Sequence, residues 1–591
     1  MLLFLQKKKN TPERPGDSRR RHRAVASPPG GSYPPARRDT ALARDPATED
    51  IRTAMKLRSI NDHYAVSPQI TVADLPAVKD AGFAGIICFR PDGEDPDQPT
   101  AAEIGVAAET LGLQFVHVPV RSGGEPDAYA LRATRRALED MPGKVLGYCK
   151  GGGRAERAYM LAATTPAEAP AVRHFDVVIV GGGAGGIAAA ASLLKRRPGT
   201  TIGIVEPSLE HYYQPGWTLV GAGVFTPEQT RRSELKIMPA GANWLRNAAK
   251  TFHPDTHSVT LDDDTSVTYS VLVVALGIKL DWDGIEGLAD TLGRNGVTSN
   301  YRYDLAPYTW ELVRSLRSGT ALFTQPPMPI KCAGAPQKAA YLSCSEWERR
   351  GVKHAIDVAF DTATPALFGV ADYVPPLMDY IRKYDIALHL RSKLVRVDGE
   401  RRIATFERTT GAGPESRTET VERSFDMLHV VPPQTAPDVL RESPLAGADG
   451  FLSVDPATLR HTAYEDVYGL GDCIGASNAK TAAAVRKQAP VVAHNVVRRL
   501  REKAGFAVKE PVALYSGYGA CPLTVEKGKI VLAEFGYGGK LMPTLPEWIL
   551  KGTTPTRLAW FLKEKVMPLL YWYGMFRGHE ILVKPDFRQE D

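Results

Sequence analysis

The chain has 591 residues, which is long enough for three or four domains of about 150 residues. Its hydrophobic fraction of 43% is ordinary for a globular protein. The formal net charge is +6, but residues 1–54 contain twelve Lys and Arg against six Asp and Glu, and residues 55–591 carry 61 of each sign. Because the excess positive charge belongs to one Pro-rich tail, we predict no nucleic-acid partner.

The first 54 residues contain too few periodic apolar residues to build a core, and we predict a disordered basic tail. Its opening apolar run is five residues long and precedes the basic cluster. A secretory signal has the opposite order, with a basic region before about 7–15 apolar residues. We therefore predict that this tail is not a signal peptide.

The cysteines are few for the length of the chain, and their spacing matches neither a disulfide framework nor a zinc site. We predict a reducing compartment, no metal, and a catalytic role for any disulfide that forms. The six cysteines are Cys88, Cys149, Cys332, Cys344, Cys473 and Cys521.

The order of apolar segments predicts an α/β protein in several parts. Strand and helix patterns alternate in residues 55–163, through GIICF, AAEIGVAAETLG, FVHVPV, YALRATRRALEDM and VLGYC. A Pro/Ala linker follows at 164–171, then a larger α/β region at 172–540 and an aromatic C-terminal region at 541–591.

A glycine motif opens the larger region. The strand 177–180 is followed by Gly181, Gly183 and Gly186 in G-x-G-x-x-G spacing, and Glu206 ends the next strand. Such glycines allow a tight turn and close approach to a pyrophosphate, and an acid in that place can bind a ribose. The motif predicts a dinucleotide-binding Rossmann fold.

Two later segments favour FAD over NAD. VLVVALG (271–277) ends a strand at Gly277, and in the segment 467–489 Gly471 and Asp472 close a strand before a helix that begins near Thr481. Such a helix N-terminus can stabilise negative charge on a reduced flavin. After the strand 321–325 the chain reads PPMPIKCAGAPQ instead of a second glycine fingerprint, so NADH is disfavoured as the electron donor.

Four segments together resemble the sulfide:quinone oxidoreductases of the mitochondrial-like subgroup, within the pyridine nucleotide-disulfide oxidoreductase superfamily. They are VEPSLEHYYQPGWTLVGAG (205–223), MPIKCAGAPQKAAYL (328–342), GLGDCIGASNAKTAAAV (469–485) and GYGACPLTVEKGKIVLAEF (517–535). The resemblance implies two interleaved Rossmann-like domains in residues 172–540. It also implies FAD contacts from the glycines and from Glu206, Gln214, Ala249, Asp472 and Lys480.

The same resemblance implies that Cys332 and Cys521 form a redox pair. Sulfide attacks the sulfur bridge between them, Cys521 keeps the sulfane sulfur as a persulfide, and Cys332 is the thiol on the flavin side. Electrons then pass through FAD to a membrane quinone, and the sulfane sulfur passes to a small thiol or sulfite. Lys331, beside Cys332, is a candidate for lowering the pKa of that thiol.

The C-terminal region is rich in aromatic residues, including Trp548, Trp560 and Trp572. Apolar residues recur at helical spacing, but the uncharged run 566–576 has only 11 residues, against about 20 for a membrane span. We predict monotopic attachment to a bacterial inner membrane or its equivalent. The alternative is an amphipathic helix that packs on its own domain. The periodic residues are Leu558, Phe561, Leu562, Val566, Leu569 and Tyr573.

Cys149 follows a strand and opens the loop CKGGGR, with Arg154 five residues later and a helix after it. Backbone N–H groups, a helix N-terminus and an arginine together form an anion nest that lowers a thiol pKa. The C-x4-R spacing resembles rhodanese loops more than the C-x5-R of phosphatases. The region 57–163, with FRPDGEDPDQPTAAEIG (89–105), resembles the phosphatase-like domain of the β-lactamase hydrolase-like family.

We predict that Cys149 accepts or processes sulfane sulfur. Phosphatase activity and a degenerate binding module are the alternatives, because Gly-Gly-Gly-Arg-Ala replaces that family's Ser-Gly-Thr-Arg-Ser. For the whole chain, the alternatives are an NADH:quinone-type flavoprotein fused to a cysteine phosphatase and a non-catalytic flavin scaffold. The sequence is compatible with a homo-oligomer and leaves the oligomeric state open.

Overall fold

The computed structural model describes residues 55–164, 173–411, 415–477 and 479–588. The predicted tail 1–54, linker residues 165–171 and the last three residues of the predicted C-terminal region lie outside the described residues.

The N-terminal domain is a five-stranded sheet between helices. In sheet order its strands are Arg58–Ser59, Tyr64–Ser67, Lys144–Tyr148, Phe83–Cys88 and Gln114–His117, all parallel except the short first one. Its helices are Leu75–Asp80, Ala101–Thr110, Ala128–Asp140 and Gly153–Thr164. Because side chains alternate along a strand, the sheet has a hydrophobic cluster on each face. The predicted alternation of strands and helices is confirmed.

A seven-stranded sheet forms the first layer of the larger region. Its strands are Ala242–Leu245, Ile202–Val205, Arg173–Val180, Ser266–Val274, Val467–Gly469, Ser258–Leu261 and Ala249–His253. The first five run parallel, and the last two form an antiparallel extension. The helices Ala184–Arg196 and Ala482–Lys503 pack together against this sheet.

A second parallel sheet is inserted between Val274 and Val467. Its strands in order are Val297–Thr298, Met427–His429, Gly319–Gln325, Ile356–Thr362 and Ile386–Leu390. Its helices are Leu305–Ser315, Ala335–Arg349 and Val374–Lys383, and an antiparallel sheet of Ser392–Asp398, Ile403–Thr410 and Arg417–Ser424 packs beside it. The chain thus leaves the first Rossmann-like sheet and returns to it, as the predicted interleaved arrangement requires.

The end of the chain adds a hairpin and a helical segment. The hairpin pairs Gly519–Glu526 with Lys529–Phe535. The helical segment runs from Arg557 to Arg577, with wider turns at Leu562–Val566 and Leu570–Gly574. Within the described residues, no helix has both the length and the apolar character that a membrane span needs.

The N-terminal domain contacts the larger region through ion pairs. Arg132 Nε lies 2.7 Å from Asp263 Oδ2, and Arg246 Nη1 lies 2.7 Å from Asp127 Oδ2. Further contacts join Arg136 to Asp264 and Arg121 to Ser233. The two parts of the chain are therefore docked against each other along residues that precede and follow the strand Ala249–His253.

Candidate active site

The glycine motif forms an open cradle at the end of the strand Arg173–Val180. Gly181 has a φ of 105°, and a Cβ there would lie 2.4 Å from the Ala275 oxygen. A Cβ on Gly186 would lie 1.8 Å from the Gly181 oxygen. The helix can pack this closely on the strand because Gly186 has no side chain. Gly183 and Gly277 face open space, with no atom within 4 Å of an added Cβ. The cradle has room for a pyrophosphate at a helix N-terminus.

Glu206 lies directly after the strand Ile202–Val205, beside this cradle. Its Oε2 accepts a hydrogen bond from the Gly182 N–H at 2.8 Å, and its Oε1 accepts one from the Ser208 N–H at 2.8 Å. Burial raises the pKa of the Glu206 carboxyl, and these hydrogen bonds oppose the rise. The carboxylate is thus oriented at the place where a dinucleotide ribose binds in Rossmann folds.

The segment around Asp472 supplies the other end of the site. Gly471 donates its N–H to Gln488 Oε1 at 2.8 Å, and Lys480 Nζ donates to the backbone oxygens of Asp472 and Ile474 at 2.8 and 2.9 Å. The helix Ala482–Lys503 begins immediately afterwards. These hydrogen bonds join the loop 471–480 to the N-terminal part of the helix Ala482–Lys503.

Two of the predicted cofactor residues have distinct positions. Gln214 Oε1 accepts a hydrogen bond from Lys331 Nζ at 2.6 Å, which brings it beside the Cys332 loop. Ala249 begins an edge strand, and two strands lie between it and the strand Arg173–Val180, which leads into the glycine motif.

Three features of this site fit a flavin dinucleotide. They are the open glycine cradle, the oriented Glu206 carboxylate, and the loop that Lys480 holds at the N-terminus of the helix Ala482–Lys503.

Cys332 and Cys521 meet although 189 residues separate them. Cys332 precedes the helix Ala335–Arg349, Cys521 lies on the strand Gly519–Glu526, and their Sγ atoms are 3.8 Å apart. A Cβ on Gly334 would lie 2.5 Å from the Cys521 sulfur, so this approach requires glycine. The Cys332 N–H donates to the Lys480 oxygen at 2.9 Å. This bond joins the cysteine loop to the loop 471–480.

The pair is electrostatically asymmetric. The hydrogen bond with Cys521, together with the nearby Lys338 ammonium, holds the pKa of the Cys332 thiol well below its ordinary value. Lys338 Nζ lies 3.2 Å from Cys332 Sγ. The hydrogen bond with Cys332 and burial raise the pKa of the Cys521 thiol. In the reduced pair, Cys332 is the thiolate and Cys521 keeps the proton.

Two lysines of this site are absent from the sequence-based prediction. The predicted neighbour Lys331 directs its ammonium to Gln214, and Lys338 instead contacts the thiol. Lys338 is six residues after Cys332, and Cys332 precedes the helix, so neither the i,i+3 nor the i,i+4 spacing of a helix could have indicated this contact. Lys563 comes from the C-terminal helical segment, is 3% exposed and donates to the Pro215 oxygen at 2.7 Å. Burial and the nearby Lys338 lower the pKa of Lys563 to about 7.

Two other cysteines of the larger region lie in packed surroundings. Cys344 is buried on the helix Ala335–Arg349, and burial raises its pKa to about 12. Cys473 is buried against the strand that ends at Val274, with its pKa raised by burial to about 11. Both thiols are protonated at neutral pH, as expected for structural cysteines.

The Cys149 loop has an anion-binding geometry with an acidic partner. The Gly152 N–H lies 3.1 Å from Cys149 Sγ, and the helix Gly153–Thr164 begins next to it. Arg154 donates to both carboxylate oxygens of Glu94, at 2.6 and 2.8 Å, and to the Val120 oxygen at 2.6 Å. The loop therefore presents N–H groups and an arginine, and this arginine shares the Glu94 carboxylate with Arg90.

A cavity of about 290 Å³ adjoins this loop. Cys149 itself is 1% exposed and does not line this cavity. The lining residues are Val120, Gly123, Gly124, Glu125, Pro126, Gly153, Arg154 and Arg157.

The C-terminal helical segment has an apolar outer face. Phe561, Leu569 and Tyr573 are each more than half exposed, whereas Tyr571 and Trp572 are buried. The nearby Trp548 is 86% exposed. Lys563, on the same segment, is buried near the cysteine pair.

Comparison with known proteins supports the division of the chain. Residues 56–165 match the family described as the phosphatase-like domain of β-lactamase hydrolase-like protein, and residues 175–325 match the pyridine nucleotide-disulphide oxidoreductase family. The β-lactamase hydrolase-like protein of Agrobacterium fabrum is 36% identical over 107 residues, which are 18% of this chain and 25% of that protein.

The larger region has relatives along most of its length. The mitochondrial sulfide:quinone oxidoreductase of Mus musculus is 36% identical over 425 residues, 72% of this chain and 91% of the relative. The solved structure of the Aquifex aeolicus sulfide:quinone oxidoreductase shares the fold with a TM-score of 0.55 at 19% identity, covering 68% of this chain and 92% of that one. The chain thus belongs to the sulfide:quinone oxidoreductase family, with a phosphatase-like domain at its N-terminal side.

Proposed function

We propose that this protein oxidises sulfide through Cys332 and Cys521 and passes the electrons through FAD to a membrane quinone. The observation that supports this most directly is the sulfur pair itself: two thiols 3.8 Å apart, with a buried lysine on one of them. The bond from Cys332 N–H to the Lys480 oxygen supports a position of the pair beside the proposed flavin site.

The residues support a two-electron reaction that starts from a Cys332–Cys521 disulfide. Sulfide attacks the sulfur of Cys521, the disulfide breaks, and Cys332 leaves as a thiolate beside the Lys338 ammonium. Cys521 then holds the sulfane sulfur as a persulfide. When bound, FAD supplies a two-electron acceptor that can be reoxidised by quinone. A later acceptor removes the sulfane sulfur, and the disulfide forms again as the electron pair leaves.

The position of Lys338 explains why Cys332 is the leaving thiolate. A low-pKa thiol is the better leaving group in thiol–disulfide exchange. Lys563 adds a second ammonium near both sulfurs below pH 7. The two lysines therefore direct sulfide to Cys521 and stabilise the charge that appears on Cys332.

The C-terminal face supports attachment at a membrane surface, from which a lipid-soluble quinone could reach the site. Exposed Phe561, Leu569 and Trp548 are suited to insertion at the depth of the lipid headgroups. On its inner side the same segment carries the buried Lys563, which interacts electrostatically with the cysteine pair. We place the protein peripherally on a bacterial inner membrane or its equivalent.

The N-terminal domain supports a role in handling the sulfane sulfur. The Gly152 N–H donates to Cys149 Sγ at 3.1 Å, beside the N-terminus of the helix Gly153–Thr164, which is an arrangement that binds anions. Glu94 pairs with both Arg154 and Arg90, and Asp95 pairs with Arg90 and Lys150, so the charges beside the loop do not decide between the two chemistries. Our preference for sulfur transfer over phosphatase activity rests on the C-x4-R length of the loop, with a small thiol or sulfite as a further acceptor.

The main test is sulfide-dependent reduction of a short-chain quinone by the full chain in lipid nanodiscs. We expect turnover with sulfide, loss of at least about a hundredfold in Cys332→Ser and Cys521→Ser, and normal turnover in the matched control Cys344→Ser. Turnover with NADH in place of sulfide, unaffected by either cysteine change, would support the NADH:quinone alternative instead.

A second test addresses the N-terminal domain. With sulfide and a limiting thiol, we expect Cys149→Ser to leave quinone reduction intact and to change the sulfur products, which mass spectrometry of trapped persulfides measures. Release of inorganic phosphate from a generic phosphoester, lost in Cys149→Ser, would favour the phosphatase instead. No change in either assay would leave only the binding module.

A further inference from the structure

Glu234 is a buried carboxyl group that the proposed reaction does not use. It follows the strand Arg231–Ser233 at the start of the short helix Glu234–Ile237 and is 1% exposed. Its Oε1 has no hydrogen-bond partner among the residues that the structure describes. Burying a polar atom without a partner is unfavourable, so such an atom in a native protein calls for an explanation.

The unpaired oxygen lies at the dinucleotide cradle. Glu234 Oε1 is 3.0 Å from where a Cβ on Gly182 would be, and Gly182 is the residue whose N–H donates to Glu206. Both carboxyl groups therefore flank the same glycine. Glu206 is the acid of the Rossmann fingerprint, whereas Glu234 comes from a different part of the chain.

The other oxygen of Glu234 lies near a histidine. Oε2 lies 3.4 Å from His211 Nδ1, and His211 Nε2 lies 2.7 Å from the hydroxyl of Tyr571, on the C-terminal helical segment. Burial lowers the pKa of His211 to about 4, so this imidazole is neutral and provides no counter-charge. The carboxyl group is thus oriented, with one oxygen left for a partner.

We propose that Glu234 is a second carboxyl ligand of the bound FAD, and that its Oε1 hydrogen-bonds to a hydroxyl of the ribose that Glu206 also holds. The inference rests on FAD being the cofactor, as proposed above. The ribose has two neighbouring hydroxyls, and two carboxyl groups beside one glycine match such a diol.

The charge state of Glu234 gives the interaction a pH dependence. Burial, with the nearby Glu210, raises the pKa of the Glu234 carboxyl to about 8. It therefore keeps its proton below pH 8, can donate it to the ribose, and loses it above. The charged and titratable groups around it are Glu206, Glu210, His211, Tyr571 and Arg232. Above pH 8 a second negative charge would lie beside Glu206 without a cation in contact.

The test is the dissociation constant of FAD for the full-length apoprotein, measured by flavin fluorescence from pH 6.5 to 9. At pH 7 we expect Glu234→Ala to weaken FAD about tenfold, Glu234→Gln to bind like the wild type, and the exposed control Glu228→Ala to be unchanged. From pH 7 to 9 the wild type should lose about tenfold more affinity than Glu234→Gln. Burial lowers the pKa of Lys331 to about 8, so Lys331 titrates in the same pH range. Comparing the wild type with Glu234→Gln removes this contribution, because both proteins contain Lys331.

FMN, which lacks the adenosine ribose, separates the outcomes. Equal FAD affinity of wild type, Glu234→Ala and Glu234→Gln across this pH range would overturn the inference, as would an equal loss of FMN binding. If Glu234→Ala does not fold, the pH profile of Glu234→Gln decides alone. If the wild-type apoprotein binds no FAD, the proposed cofactor itself is wrong, which is a different result.

Discussion

At the scale of single residues, the site depends on buried lysines. Lys338 is 2% exposed, and its ammonium lies 3.2 Å from the Cys332 sulfur. A buried ammonium costs free energy unless an anion accompanies it. The Cys332 thiolate is that anion, and it raises the pKa of Lys338 against the effect of burial. Each of the two charges therefore stabilises the other.

Replacing this lysine tests the pairing. A hydrogen bond to a charged group contributes about 1.5–3 kcal/mol, which corresponds to about one to two pH units in a thiol pKa. Lys338→Met should raise the pKa of Cys332 by that amount, and Lys338→Arg should retain most of the effect. The measurement is the pH dependence of Cys332 alkylation in reduced protein, followed by mass spectrometry. An unchanged profile in Lys338→Met would show that the lysine does not stabilise the thiolate.

Lys563 predicts a pH effect of its own. Its pKa of about 7 means that it is charged below pH 7 and loses that charge as the pH rises through 7. Lys563→Met should therefore slow alkylation of Cys332 at pH 6 by about threefold to tenfold, since an effective ammonium contributes about 1 kcal/mol near a partly shielded anion. At pH 8.5 the variant and the wild type should converge. A constant ratio across the pH range would contradict the assigned charge state.

At the scale of elements, the C-terminal helical segment has two faces with different partners. Its inner side places Lys563 against the cysteine pair and Tyr571 against His211. Its outer side leaves Phe561 and Leu569 more than half exposed. A segment that packs fully on its own domain would bury these apolar residues. The outward position therefore favours membrane attachment over the alternative of internal docking.

Liposome flotation tests the outer face. Burying a large apolar side chain contributes about 1.5–3 kcal/mol, so Phe561→Glu together with Leu569→Glu should lower partitioning by at least about tenfold. Val106→Glu, at a 68% exposed position of the N-terminal domain, is the control and should bind normally. If the double variant floats like the wild type, this face does not hold the protein on the bilayer.

The sequence predicted the elements better than it predicted the contacts between them. The glycine motif and the apolar strands are local signals, and the strands Arg173–Val180 and Gly319–Gln325 follow them closely. The pairing of Cys332 with Cys521 came from a family resemblance. No local signal could show that Lys563 lies beside these sulfurs, because its position depends on how the last segment packs.

At the scale of the whole molecule, a charged interface joins the phosphatase-like domain to the larger region that holds the cysteine pair. Asp263, whose side chain is 6% exposed, accepts Arg132, and Arg246 binds Asp127. Exposed ion pairs contribute about 0–1 kcal/mol each, so several must act together to hold the domains. The interface is consequently expected to be sensitive to salt and to charge reversal.

Small-angle scattering tests this docking. The triple variant Arg132→Glu, Arg136→Glu, Arg246→Glu should increase the radius of gyration, because three attractive pairs become repulsive. A control with the same charge change at exposed Arg349, Arg382 and Arg401 should keep the wild-type value. An unchanged radius in the interface variant would mean that other contacts hold the two parts together.

The measurement that tests the central claim most directly is the flavin absorbance of the full chain in mild detergent without oxygen. Adding sulfide should bleach the flavin, and adding a short-chain quinone should restore it, whereas Cys332→Ser and Cys521→Ser should prevent the bleaching and Cys344→Ser should not. A flavin that stays oxidised with sulfide but is bleached by NADH would contradict the account, because the electrons would then not come through the cysteine pair.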